Sequence, residues 1–319
     1  MLLIPEVLTL LVLNLLFAFF ASIAFFQSYK IYKYWDLNAT TQEQYSLEKQ
    51  SYLSATIIKF IFIVKVPLFL FFIFTLDKIS NILSGAMCGA GVVDATEYGN
   101  YLFVIKIINL YIFAYWLALN NEDLKHERQP FTKSKFGFFL IIFFALIAEI
   151  VLEFVMFTSI NLDEVVSCCG SIYSASSNSY FAYILSLKPI YLLSAFYINF
   201  LFMLVFYHFK QKSLFALANI VFIISSIVTL ITFYGTYIYE LPSHHCPFCL
   251  LQAEYYYIGY ILYSLLFMGT FYATCVGFIK SDTITLEKNY KKSLVFNTLY
   301  LLLVSAYPVI YYLKNGVLL

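Results

Sequence analysis

The chain has 319 residues, of which 62% are hydrophobic and 12% charged, with 35 Phe, 29 Tyr and a net charge of +1. An ordinary soluble domain carries roughly 25% charged residues. No core of this length can hide so much apolar surface, so a water-soluble globule is excluded. Disorder needs low hydrophobicity and high charge, and the near-zero balance offers no basic face for nucleic acid.

What remains is an all-α, polytopic integral membrane bundle in a lipid bilayer, since the apolar runs suit helices rather than barrel strands. A bilayer core of roughly 30 Å needs about 20 apolar residues per helix. Eight stretches qualify: 7–27, 53–76, 101–119, 136–158, 190–208, 214–237, 255–279 and 293–313. The first reads as a span rather than a secretory signal, because its only early charge is Glu6.

The connecting loops sort by charge. Lys30, Lys33 and Lys49 lie in 28–51, and Lys125, Arg128, Lys133 and Lys135 in 120–135. Lys210 and Lys212 follow the fifth span, and Lys280, Lys288, Lys291 and Lys292 lie in 280–292. The alternate loops hold only Lys78 and Lys188, with Lys314 in the tail. The positive-inside rule puts the first set in the cytoplasm and both termini outside. The abundance of Phe, Ile, Tyr, Asn and Lys accompanies AT-rich bacterial genomes, so the expected location is a bacterial inner membrane with the loops 78–100, 159–189 and 238–254 facing the periplasm.

Five of the six cysteines fall in those three loops: Cys88, the neighbours Cys168 and Cys169, and Cys246 with Cys249. Thiols outside the cytoplasm can form disulfides or bind soft metals. Cys275 lies within a span and reads as a small core hydrophobe. Residues 241–254 read LPSHHCPFCLLQAE, a Cys-x-x-Cys behind two histidines. A thiol at a helix N-terminus or beside a cationic His gains thiolate character, and Pro247 suits a first helical turn. The pattern predicts a reactive Cys246 resolved by Cys249. The same residues offer a metal site, with His244, His245, Cys246 and Cys249 as ligands for Cu(I) or Zn. Adjacent Cys168 and Cys169 form either a strained vicinal disulfide or a soft-ion pair. Cys88 sits among small residues, Ser84 to Gly91, that permit close backbone approach.

The order Pro242, Cys246, Pro247, Phe248, Cys249, Leu250, Leu251, Gln252 before a span resembles the DsbB-like quinone reductases and their vitamin K epoxide reductase relatives. The resemblance covers about fifteen residues and implies electron flow from thiols to a membrane quinone near Gln252. The chain departs from that family in having about eight spans rather than four or five. It has Gln252 where arginine is common, and Cys168 and Cys169 in place of a later cysteine pair.

Cys88 precedes the third span as Cys246 precedes the seventh. This pattern suggests a single membrane domain over 1–319 built as a 4+4 parallel repeat, with halves 1–160 and 180–319. Glu149 and Glu153 share one helix face, and Lys65 and Lys106 also lie within spans. Each must face the bundle or a wet cavity. They either pair with one another or, for the two glutamates, form a proton path.

Three functions are consistent with these residues. The first is a thiol–disulfide oxidoreductase on the extracytoplasmic face, using Cys246, Cys249, Cys168, Cys169 and Cys88, with an extracytoplasmic thiol protein as partner. The second is a soft-metal protein serving an extracytoplasmic metalloprotein, with His244, His245, Cys246 and Cys249 as ligands together with Cys88 or the Cys168–Cys169 pair. The third is a transporter whose cysteines brace loops and whose midplane site would draw on Lys65, Lys106, Glu149 and Glu153.

Overall fold

The computed structural model describes residues 2–37, 39, 41–162, 165–166 and 187–319. Cys168 and Cys169 lie outside the described residues, as does most of the loop 159–189. Among the described residues, eight helices are long and apolar enough to cross a membrane, and the chain is a polytopic helical membrane protein. The helices of the described residues are α1 (Pro5–Tyr34), α2 (Gln42–Ser80), the short α3 (Gly89–Asp94), α4 (Glu97–Asp123), α5 (Thr132–Ser159), α6 (Pro189–His208), α7 (Lys212–Thr229), the short α8 (Gly235–Tyr239), α9 (Ile258–Phe278) and α10 (Thr283–Asn315). Several outrun their apolar stretches. Thr41 caps α2 by accepting from the Gln44 amide, and Asp282 caps α10 by accepting from Thr285, so both begin in polar sequence before the apolar run.

The chain forms two compact units. The first comprises Met1–Ile82 and Val92–Glu164, and the second Leu83–Gly91 and Val165–Leu319. In the first, the Phe62 ring stacks on Phe113 at 4.5 Å and meets Trp116 edge-on at 5.5 Å. The Trp116 indole donates to the Lys135 carbonyl at 3.0 Å, which satisfies its polar atom in the core. Asp123 accepts from the Phe131 amide, the Thr132 hydroxyl and the Lys135 ammonium, and so closes the turn between α4 and α5.

The charges within the spans of this unit find each other. Lys65 reaches Glu149 at 2.9 Å and donates to Asn14 at 2.8 Å. Lys106 bridges Glu149 at 2.9 Å and Glu153 at 2.6 Å. Asn109 donates to Glu149 at 2.7 Å. Two cations and two anions from α2, α4 and α5 thus balance inside the unit, the arrangement that makes charge tolerable away from water.

In the second unit, Phe196 stacks on Phe222 at 5.2 Å. Asn297 donates to Asn219 at 2.8 Å, linking α10 to α7 through polar groups, as apolar solvent favours. The sixth span is not uniform. Between α7 and α8 the chain widens into a π-helical turn, Leu230–Tyr234, a rare feature common at functional sites.

Each unit also has a glycine at the start of its third spanning helix, pressed on the turn before it. A Cβ on Gly99 would strike the Val93 carbonyl, and one on Gly259 would lie 2.9 Å from the Leu250 carbonyl oxygen. Only hydrogen fits such a gap, so these glycines set how closely α4 and α9 follow their preceding segments.

Candidate functional site

The expectation that the Cys-x-x-Cys opens a spanning helix is corrected. Helix α9 begins at Ile258, after Cys249 has passed through two short 3₁₀ turns, Cys249–Leu251 and Ala253–Tyr255. Tyr256 and Tyr257 adopt left-handed backbone at φ 54° and 55°, which no regular helix allows. The tyrosine run 255–257 suits the membrane interface, and its backbone forms the turn before the span. No helix dipole from α9 therefore acts on Cys246.

Hydroxyl groups hold the motif in place instead. Tyr239, at the end of α8, donates to the Cys246 carbonyl. Tyr263, on α9, donates to the Pro247 carbonyl at 2.8 Å. The Leu251 amide donates to Phe248 and the Gln252 amide to Cys249, closing the first 3₁₀ turn. Buried carbonyls in an irregular segment need such partners.

The segment around Cys88 is pinned by different contacts. The Val166 amide donates to the Ser84 carbonyl at 3.0 Å. Gly85 sits at φ 90°, where a side chain would be strained and a Cβ would strike the Val166 carbonyl. The Gln252 side-chain Nε2 donates to the Met87 carbonyl at 2.9 Å.

These contacts bring three sulfurs together. The Sγ atoms of Cys88, Cys246 and Cys249 all lie within 4.8 Å of one another, and Cys88 and Cys246 are 3.5 Å apart. All three are buried, at 0, 1 and 4% exposure. Among the described residues they form the one close group of three or more potential His, Cys, Asp or Glu ligand atoms.

Of the expected ligands His244, His245, Cys246, Cys249 and Cys88, the two histidines do not join this group and the three cysteines do. Neighbouring residues in a turn point in different directions. His245 Nδ1 donates to the Ile231 carbonyl at 2.9 Å, in the widened π-turn. His244 packs edge-on against the Tyr239 ring at 4.4 Å. Both imidazoles thus brace the walls of the motif. Gln252, expected beside a quinone, ties the Cys88 segment to the 3₁₀ turn. Glu149 and Glu153 lie in the ion-paired network of the first unit. Cys275 is buried within α9 as a core residue.

Replacing Gln252 with leucine removes the strut that fixes the Met87 carbonyl. We expect the Cys88 segment to loosen with the fold intact, read as faster alkylation of Cys88 in the variant than in the wild type.

Neither any protein family nor any curated protein or solved structure matches this chain.

Proposed function

We propose that the chain is a soft-metal protein of the membrane that holds a Cu(I)-type ion on three thiolates and passes it to or from an extracytoplasmic metalloprotein. The observation that carries this reading is the convergence of three buried sulfurs within 4.8 Å. A metal–thiolate bond of about 2.3 Å places ligand sulfurs roughly 3.8–4.0 Å apart in tetrahedral or trigonal geometry. The site is therefore within an ångström of coordination spacing. A disulfide needs about 2.05 Å.

A thiol–disulfide oxidoreductase, as the DsbB-like resemblance implies, remains the second reading. It is favoured by the 3.5 Å separation of Cys88 and Cys246, suited to a third thiol attacking a disulfide. In that case Cys246 and Cys249 lose two electrons and two protons on forming their bond, and a membrane quinone takes up both to become a quinol.

One experiment separates the readings. Membranes are acid-quenched and alkylated with and without chelator and reductant, and the purified protein is assayed for metal. We expect about one copper per chain and thiols that react only after chelation. A Cys246–Cys249 pair cycling with respiration, in metal-free protein, overturns the metal reading in favour of the redox one. Inert, fully oxidised pairs in metal-free protein leave the transporter.

A further inference from the structure

The first unit holds a cavity of about 530 Å³, within the roughly 300–1,000 Å³ range of small-molecule sites. Its wall comes from the residues just after α1, the first turns of α2 and the turn between α4 and α5. Glu48 and Tyr52 belong to α2, and Glu127, Arg128 and Gln129 to the turn. We propose that this cavity binds a small solute bearing both a carboxylate and cationic groups, the chemistry of a basic amino acid. The inference is independent of the soft-metal reading, since no thiol takes part.

The charges of the wall are unmatched by the protein itself. Nearby, Lys125 pairs with Glu122 at 2.6 Å and Lys135 with Asp123 at 2.7 Å. Glu48, Glu127 and Arg128 enter no ion pair among the described residues, although all three line one cavity. Two carboxylates against one guanidinium leave the wall with one negative charge in excess. A solute of net charge +1 balances it. Arg128 supplies the planar fork that takes a carboxylate through two parallel bonds. Glu48 and Glu127 accept from the cationic groups, and Trp35 and Tyr52 add aromatic surface suited to a cation. Trp35 is 9% exposed, and its indole N–H has no acceptor among the described residues. Buried donors are nearly always paired, so this one is left for an acceptor from outside the chain.

The wall is also fixed in advance. Gln44 Oε1 accepts from the Asp36 amide at 3.3 Å, which joins the end of α1 to the first turn of α2. On the other side the Gln129 amide donates to the His126 carbonyl at 3.0 Å, and the Thr132 amide to the Gln129 carbonyl at 3.2 Å. Gln129 itself adopts φ 43°, a left-handed conformation that a residue other than glycine holds only where its surroundings impose it. A site whose walls are already ordered loses less to ordering when a ligand enters. A basic amino acid leaves part of the volume to bridging water, as polar sites commonly do.

The test uses the full chain in detergent and isothermal titration calorimetry with two probes. L-arginine carries the carboxylate, and agmatine is the same molecule without it. We expect saturable binding of one L-arginine per chain and none of L-glutamate. Arg128→Gln should weaken L-arginine by roughly tenfold, the scale of a hydrogen bond to a charged group, and leave agmatine unchanged. Glu48→Gln should weaken both probes. Both residues are exposed, so the fold is kept, and equal thermal midpoints check it. Absence of L-arginine binding by the wild type overturns the site. L-glutamate binding as tightly as L-arginine overturns the class of solute. An Arg128→Gln variant that weakens agmatine as much as L-arginine overturns the carboxylate contact.

Discussion

Replacing Lys106 with methionine is expected to destabilise the protein by about 3–5 kcal/mol, the usual cost of removing one partner from a buried ion pair. Lys106 bridges two carboxylates at 2.9 and 2.6 Å, and its ammonium also lies 4.3 Å from the Phe72 ring centre. Without it, Glu149 keeps Lys65 and Asn109. Glu153 loses its ion-pair partner, and among the described residues its Oε1 already has no hydrogen-bond partner. The buried charge count becomes one cation against two anions. In a unit of this size each kcal/mol shifts the midpoint by about 2–4 °C, so the thermal midpoint in detergent falls by roughly 10 °C. The double variant Lys106→Met, Glu153→Gln restores one cation against one anion and should recover more than half of the loss. A single variant within about 1 kcal/mol of wild type would show that the network adds little to stability.

On the proposed soft-metal reading, Cys246→Ser should remove the metal. Serine keeps the size of the side chain but replaces a soft thiolate with a hard hydroxyl. The Tyr239 bond to the backbone carbonyl of residue 246 is retained, so the loop keeps its anchor. Losing an orienting partner already costs 10–100-fold. Losing a ligand should therefore exceed about 100-fold and take copper from one per chain to nearly none. Elemental analysis and chelator competition measure both quantities. The companion variant Cys249→Ser discriminates further. Under the metal reading it behaves like Cys246→Ser. Under the redox reading it leaves Cys246 trapped in a mixed disulfide visible on a non-reducing gel.

Much of the fold is legible in the sequence because lipid imposes one demand on every span. About twenty apolar residues without a break must close their own backbone hydrogen bonds. All eight spans follow from that, and so does the pairing of Lys65 and Lys106 with Glu149 and Glu153, since a lone charge there is untenable. The start of α9 is not legible. The run 255–257 is three tyrosines, which suit a membrane interface as well as a helix start, and composition does not register a positive φ at Tyr256 and Tyr257. Gly259 is the available signal, because a glycine two residues after that run suits a close backbone approach.

The site is half legible. Cys246 and Cys249 announce themselves by spacing, and the parallel position of Cys88 before the third span hints that it belongs with them. Spacing misleads about the histidines. Their adjacency to Cys246 suggests shared ligation, but ligation depends on side-chain direction, and the π-turn draws His245 to the Ile231 carbonyl. Nothing local to Gln252 or Met87 shows that one holds the other across 165 residues.

That separation bears on how the protein is made. Cys88 is translated 158 residues before Cys246, its nearest thiol neighbour. At 5–20 residues per second the interval is roughly 8–30 s. During it, the Cys88 segment, which packs with the second unit, has no finished site to join. The nascent chain thus carries Cys88 without its two site partners, Cys246 and Cys249, throughout that interval. Slow elongation or a stalled ribosome lengthens that window, and the yield of intact sites becomes a matter of timing as well as of fold.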